Sequence, residues 1–158
     1  MKLIARPLTA AAFAPYGDVL AAPAEPGRDY FEAGLGNGRG QARPSLSMVH
    51  RSPVAGLPLD VTLLERHEFS SQSFVPIGDV RWLIVVCPHA ASGGPDAGRA
   101  VAFIASGAQG VTYRPNTWHH GLTVLDRPAR FAVFMWRDGS TGDEEFVPVA
   151  PFTVAASG

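Results

Sequence analysis

The segments ERHEFSSQ (residues 65–72) and YRPNTWHH (residues 113–120) concentrate the reactive side chains of this sequence. Three of the five histidines in the chain lie in these two segments. In an extended strand, Glu65 and His67 point to the same face and lie about 7 Å apart. We therefore expect both side chains to reach one common point, with Gln72 returning to that face after the intervening turn.

The second segment contains a turn followed by a strand. Pro115 and Asn116 are typical turn residues, and they aim the following residues along a new direction. Because successive side chains of a strand point to opposite faces, one of His119 and His120 is expected to face inward and the other outward.

Outside these segments the sequence predicts many short strands. Glycine and proline number 17 and 14 among the 158 residues, and such frequent turn residues favour strands over long helices. Strands are expected in the runs 45–51, 59–69, 74–76, 81–87, 101–104, 110–113, 119–125 and 131–136. This pattern predicts an all-β fold, either a sandwich or a small barrel, and periodicity does not choose between the two.

Three segments depart from the strand pattern. Thr9–Phe13 is predicted to be a brief helix with the Thr9 side chain as its N-cap. Residues 21–40 are rich in glycine, proline and charge, which predicts a long exposed excursion that is mobile or ordered by a partner or ligand. The acidic residues 143–145 are predicted to form a solvated loop.

Length and composition favour one domain that covers residues 1–158. Apolar residues make up 46% and charged residues 17% of the chain, which argues against disorder. The net charge of −1 offers no electrostatic basis for binding nucleic acid or an anionic membrane surface. No apolar run approaches the ~20 residues of a membrane span, and no secretion signal is seen at the N-terminus.

The only cysteine, Cys87, lies in the apolar run 83–87. It has no partner for an internal disulfide, and we expect a buried structural thiol rather than a nucleophile. A lone thiol predicts a reducing, cytoplasmic environment.

The two segments resemble the cupin pattern, which pairs H-x-H-x(3,4)-E on one strand with P-x-G-x-x-H on another. Glu65 and His67 stand at the two histidines of the first motif, and Gln72 stands at its glutamate. Asn116 stands at the glycine of the second motif and His119 at its histidine. The resemblance implies a cupin-type (RmlC-like) small β-barrel, or double-stranded β-helix, with one or two short helices and a divalent metal inside.

Longer stretches of the chain resemble one cupin family, the ureidoglycolate lyases. The matching residues are Glu65-Arg66-His67, Ser71-Gln72-x-Phe74-x-Pro76, Gly110-Val111-x-Tyr113-x-x-Asn116-x-Trp118-His119-His120 and, nearer the N-terminus, Phe13-x-x-Tyr16-Gly17-Asp18-Val19. The resemblance implies a carbon–nitrogen lyase of the amidine-lyase type, which cleaves (S)-ureidoglycolate to glyoxylate and urea in allantoin and purine degradation. It also implies nickel and a homodimer.

These observations together give a hypothesis for the site. The metal ligands are predicted to be Glu65, His67 and His119. The catalytic residues are predicted to be Gln72, as a fourth ligand or substrate donor, and His120 or Tyr113, as proton carrier. The substrate is predicted to contact Arg51, Asn116, Trp118 and Arg137. Nitrogen and carboxylate ligands suit Ni²⁺, Mn²⁺, Fe²⁺ or Zn²⁺, and the ligand set alone does not choose among them.

Other functions fit the same residues. An amidohydrolase would attack the ureido carbonyl and release ammonia and CO₂, so the nitrogen product distinguishes it from a lyase. A non-catalytic cupin that binds a small carboxylate would show no turnover. A dioxygenase or a sugar isomerase rests on fold analogy alone, and fold is weak evidence for function.

Overall fold

The computed structural model describes residues 1–157, which form two β-sheets. In chain order the elements are β1 Lys2–Pro7, α1 Ala10–Phe13, β2 Gly17–Leu20, β3 Arg43–Arg51, β4 Leu59–His67, β5 Gln72–Pro76, β6 Trp82–Cys87, a 3₁₀ turn Ala97–Arg99, β7 Val101–Ala105, β8 Gly110–Tyr113, β9 Trp118–His119, β10 Thr123–Val124, β11 Ala129–Arg137 and β12 Glu144–Ala156. The all-β prediction is confirmed, and none of the described helices is long and apolar enough to cross a membrane.

The larger sheet closes on itself. Its strand order is β10-β6-β7-β1-β12-β4-β9, and β9 pairs with β6 as well as with β4. Six strands therefore form a small barrel, which answers the question that periodicity left open. Its interior is apolar, and the buried side chains that fill it include Val61, Leu64, Val85, Trp118 and Phe152.

The smaller sheet, in the order β2-β8-β5-β11-β3, packs against the outside of barrel strands β6 and β7. The edge of the Trp82 indole on β6 meets the Phe131 ring on β11 at 5.3 Å between centroids. Phe13 of α1 closes one side of this second core, and it packs against Phe103 of β7 and Tyr113 of β8. The candidate site lies at one end of this second core.

The β4–β12 ladder is irregular near the start of β4. Leu63 pairs with Pro148 and Val61 pairs with Phe152, so β12 advances four residues where β4 advances two. In the same stretch Val61 and Leu64 of β4 both enter the barrel core although they are three residues apart. This irregularity leaves the following residues in regular alternation.

Local sequence signals were accurate in some places and misleading in others. The Thr9 hydroxyl accepts a hydrogen bond from the Ala12 amide at 3.3 Å, which confirms the predicted helix cap. The predicted strand 119–125 is instead two short strands, because the chain turns where the Thr123 hydroxyl donates to the Gly121 carbonyl. Strands β1, β2 and β12 lie outside the predicted runs. Strand β12 contains Pro148 and Pro151, and proline is disfavoured in strands.

The excursion 21–40 is held in its second half by hydrogen bonds to other segments of the chain. The amide of Gly36 donates to the Ser71 hydroxyl at 3.0 Å, and the amide of Gly38 donates to the Phe69 carbonyl at 2.7 Å. A Cβ at Gly36 would lie 3.0 Å from Pro115. Glycine therefore permits this segment to approach the rest of the chain closely.

We expect Gly110→Ala to destabilise the protein by about 1–3 kcal/mol, the usual range for overpacking. A Cβ at Gly110 would lie 2.3 Å from the Phe74 carbonyl oxygen of the neighbouring strand, and main-chain atoms cannot move away without disturbing the sheet. Urea unfolding measures the change. Gly40→Ala is the matched control, because a Cβ there meets nothing within 4 Å. Equal unfolding midpoints for the two variants would contradict the prediction.

Candidate active site

The site is centred on a half-buried carboxylate and two buried imidazoles of the larger sheet. Glu65 of β4 pairs in register with His119 of β9, and Glu65 Oε1 lies 3.3 Å from His119 Nε2. The His67 ring lies 5.9 Å from the His119 ring between centroids. Both histidines are buried, with 5% and 1% of their surface exposed. The structure thus brings together the three residues predicted as metal ligands.

The smaller sheet supplies the opposite wall. The Tyr113 ring of β8 stacks on the His119 ring at 4.1 Å with an interplanar angle of 14°. Gln72 of β5 pairs in register with Tyr113, and its Nε2 lies 3.9 Å from Met135 Sδ on β11. The predicted residues Gln72 and Tyr113 therefore line the same end of the second core as the histidines.

Three polar atoms of this cluster are buried without a hydrogen-bond partner: His67 Nδ1, His119 Nε2 and Gln72 Oε1. The 3.3 Å contact of His119 with Glu65 is close, but it is not aligned as a hydrogen bond. Leaving a buried polar atom unpaired costs about 1–3 kcal/mol. Such atoms are rare in folded proteins, and their concentration here indicates groups kept ready for a ligand.

The pKa shifts in and beside the cluster favour deprotonated side chains, which have free lone pairs. Burial raises the pKa of the Glu65 carboxyl, but the imidazoles of His119, His67 and His120 outweigh burial, and the net pKa is lowered. Burial, reinforced by His119, lowers the pKa of His67. Burial also lowers the pKa of His120. At neutral pH the site therefore presents an ionised carboxylate beside neutral His67 and His120.

These donors suit a divalent metal in type and protonation, because metal ligands must be deprotonated. The unpartnered nitrogens of His67 and His119 also fit metal coordination. Among residues 1–157, however, no three His, Cys, Asp or Glu side chains are already grouped as a metal site. Glu65, His67 and His119 would have to adjust around an ion, and the metal stays a prediction.

Asp143 joins the site from a segment that the sequence analysis placed in a solvated loop. That prediction is wrong, because Glu144 and Glu145 begin strand β12 and Asp143 is only 4% exposed. Its Oδ1 accepts a hydrogen bond from the Phe69 amide at 2.7 Å, and its Oδ2 accepts from the Ser70 hydroxyl and from Arg39 Nη2. Oδ2 also lies 3.9 Å from His67 Nδ1. No local sequence signal marks this residue, because its partners come from distant segments.

His120 lies beside the cluster, not within it. Its Nδ1 lies 3.3 Å from the Leu63 carbonyl oxygen. The ring lines a cavity of about 200 Å³ together with Glu65, Gly121 and Phe146. His120 and Glu65 thus share the lining of this cavity, which does not include His67.

Two predicted substrate-binding residues lie away from the cluster. Trp118 points into the barrel, on the opposite face of β9 from His119, because neighbouring side chains alternate. Its indole Nε1 donates to His89 Nδ1 at 3.0 Å. Asn116 has φ 68° in the turn before β9, and its side chain accepts from Arg66. The main-chain N–H of Asn116 donates to the His67 carbonyl oxygen at 2.7 Å, which ties this turn to the end of β4.

The two predicted arginines lie at opposite ends of the smaller sheet. Arg51 pairs with Ala129, and Arg137 pairs with Arg43. Gln72 pairs with Met135, two residues before Arg137. The structure therefore brings Arg137 to the end of the sheet that carries the site, whereas it does not bring Arg51 there.

The fold is shared with a solved structure of low sequence identity. A dTDP sugar isomerase from Desulfovibrio desulfuricans superposes with a TM-score of 0.52 and 18% identity, over 84% of this chain and 82% of that chain. At this identity the similarity shows the fold alone. It confirms the cupin-type barrel that the sequence predicted.

Closer relatives are found by sequence. The family model for ureidoglycolate lyase matches residues 1–155. A protein of Agrobacterium fabrum is 43% identical over 151 residues, 94% of this chain and 92% of that protein. Ureidoglycolate lyases of Mesorhizobium japonicum and Rhizobium leguminosarum bv. trifolii are 38% and 37% identical, over 92% and 94% of this chain and 92% and 93% of their own lengths. The chain belongs to the ureidoglycolate lyase family.

Proposed function

We propose that this protein is a ureidoglycolate lyase, which cleaves (S)-ureidoglycolate to glyoxylate and urea in the breakdown of allantoin. The observation that carries the proposal is the cluster of the half-buried Glu65 with the buried His67 and His119, with two unpartnered histidine nitrogens, in a chain of this family. A small, polar substrate with several hydrogen-bonding groups fits a site whose polar atoms lack partners.

The reaction breaks the bond between the substrate's central carbon and a ureido nitrogen. The hydroxyl on that carbon loses its proton and becomes the carbonyl of glyoxylate. The electron pair of the broken C–N bond passes to the nitrogen, which takes up a proton and leaves as urea. Because urea is a poor leaving group as an anion, the site needs both a base and an acid.

The protonation states of the site suggest how these roles are divided. The lowered pKa of Glu65 leaves a carboxylate, and the lowered pKa of His67 leaves a neutral ring, so both can accept hydrogen bonds or a proton. Burial raises the pKa of Tyr113, so its phenol stays protonated. We assign Tyr113 or His120 to proton transfer at the departing nitrogen and Gln72 to hold the ureido group.

The proposal includes a divalent cation held by Glu65, His67 and His119. Family resemblance favours Ni²⁺, while Mn²⁺, Fe²⁺ and Zn²⁺ suit the same donors. When bound, such an ion acts as a Lewis acid that lowers the pKa of the substrate hydroxyl. Gln72 Oε1, which is buried and unpartnered, is available as a further oxygen donor to the ion or to the substrate.

The first test is the nitrogen product released from (S)-ureidoglycolate. We expect urea and glyoxylate in equal amounts; ammonia as the primary product would support the amidohydrolase instead. We expect His67→Ala and His119→Ala each to lower kcat/KM by about 100-fold or more, as for loss of a positioned acid–base or ligand group. His50→Ala is the control, since His50 is exposed on β3. Full activity of both site variants would exclude this site.

The second test is removal and return of the metal. We expect chelation to abolish urea release and Ni²⁺ to restore it, because the hydroxyl proton is hard to remove without a Lewis acid. Metal content measured by mass spectrometry should approach one ion per chain in the wild type and fall in His119→Ala. Undiminished urea release by metal-free protein would contradict the metal part of the proposal and leave the lyase assignment intact.

The proposal extends to a cytosolic homodimer. Cys87 is free and buried, as expected for a protein in a reducing compartment. Strand β3 lies at the edge of the smaller sheet, and its outward-facing Leu46 and Met48 are 71% and 65% exposed. Exposed apolar side chains on an edge strand favour pairing with another chain.

Light scattering tests this association. We expect twice the 16.7 kDa chain mass for the wild type. Leu46→Glu combined with Met48→Glu should give a monomer, because each introduced charge would be buried at the interface. Ile4→Glu, on the distant strand β1, is the control, since Ile4 is 54% exposed. A monomeric wild type, or a double variant that stays dimeric, would count against this surface.

A further inference from the structure

We infer that Arg43 and Arg137 together hold the substrate carboxylate at the end of the smaller sheet that carries the site. The inference rests on the proposed function, and it concerns how the substrate is oriented. Of these two arginines, only Arg137 was predicted from the sequence to contact the substrate. Arg43 is identified from the structure, in which it pairs with Arg137 on the adjacent strand.

The two arginines face the same side of the smaller sheet as the site. Directly opposed residues of antiparallel strands point to one face, so Arg43 and Arg137 share a face. Met135, two residues before Arg137, has the same orientation, and its sulfur lies 3.9 Å from Gln72 Nε2. Two residues of strand span about 7 Å. The two arginines therefore lie about two residues beyond Gln72 along the strand direction, on the face of the smaller sheet that packs against the barrel.

From Gln72 the same face leads directly to the reacting cluster. Gln72 pairs in register with Tyr113, and the Tyr113 ring stacks on the His119 ring. A substrate lying across this face would have one end at the arginines and the other near Gln72, Tyr113 and His119.

No acidic side chain neutralises these two arginines. Within residues 1–157 neither guanidinium takes part in an ion pair. The neighbouring Asp138 pairs with Arg39 at 2.8 Å and accepts from Ser140, and Asp143 is likewise occupied by Arg39. The sheet thus holds two uncompensated positive charges side by side.

Like charges placed directly opposite each other destabilise a sheet. An anion between the two guanidiniums would remove this repulsion. A guanidinium binds a carboxylate through two parallel hydrogen bonds, which fixes orientation as well as position. In ureidoglycolate the carboxylate is attached to the carbon whose C–N bond breaks. Held at Arg43 and Arg137, it would direct that carbon toward the cluster and reject analogues without a carboxylate.

Arg51 provides a matched control on the same strand. It lies eight residues after Arg43, on the same face by alternation, and about 26 Å away along the strand. Arg43, Arg51 and Arg137 are all exposed, so alanine at each position should leave the fold intact, which circular dichroism checks. The three variants therefore differ in their position relative to the site, not in the kind of side chain removed.

The experiment measures KM and kcat for urea release from ureidoglycolate in the metal-loaded protein. We expect Arg43→Ala and Arg137→Ala each to raise KM by about 10- to 100-fold, the range for losing a charged hydrogen bond, with a smaller change in kcat. Arg51→Ala should leave both constants unchanged. KM should rise less in Arg137→Lys than in Arg137→Ala, because lysine keeps the positive charge but lacks the paired N–H donors of the guanidinium.

The outcomes separate this inference from the proposed function. If the wild type releases urea and KM is unchanged in Arg43→Ala and Arg137→Ala, the carboxylate anchor is excluded and the lyase assignment stands. If the wild type releases no urea, the lyase assignment fails, and calorimetric binding of glyoxylate tests the anchor alone. Binding that weakens in both variants but not in Arg51→Ala supports the anchor. Binding that is absent, or equal in all variants, overturns it.

Discussion

The two-residue strand β9 closes the barrel, and the site depends on that closure. It pairs with β4 through Glu65 and His119 and with β6 through Val86 and Cys87. Because its two side chains point to opposite faces, Trp118 fills the barrel while His119 faces the second core. Several contacts keep so short a strand in place: Arg66 lies over the Trp118 ring at 4.8 Å, and His89 accepts the indole N–H.

A second constraint comes from the buried carboxylate of Asp143. Burying a charge is costly unless hydrogen bonds compensate it. Here the compensation comes from the Phe69 amide, the Ser70 hydroxyl and the Arg39 guanidinium, which belong to different segments of the chain. Asp143 thereby fixes the exit of β4 just after His67. The same contacts tie the glycine-rich segment around Arg39 to the strand ends that surround the site.

The two sheets contribute different chemical groups to the site, and together these groups suit lyase chemistry. The larger sheet contributes the Glu65 carboxylate and the His67 imidazole, whose lowered pKa values leave them as electron-pair donors. The smaller sheet contributes a protonated phenol, an amide and, at its edge, positive charge. Groups that accept a proton therefore face groups that donate hydrogen bonds. Such an arrangement can move a proton off one part of a substrate while holding another part still.

The sequence by itself determined the features that depend on neighbours in the chain. Strand alternation placed Glu65 and His67 on one face and separated His119 from its neighbours, and the Thr9 cap followed from local side-chain chemistry. Strand periodicity alone did not distinguish a barrel from a sandwich. The resemblance of the long motif to the family predicted the cupin-type barrel, which the structure confirms.

Only the tertiary structure decided the features that depend on register between distant strands. It buried Asp143, which looks like part of an acidic loop, and it brought Arg43 beside Arg137 while leaving Arg51 at the far end. A local pattern specifies which face a side chain occupies, but not which distant strand lies beside it. That choice depends on how the whole chain buries its apolar surface, so it became visible only in the folded molecule.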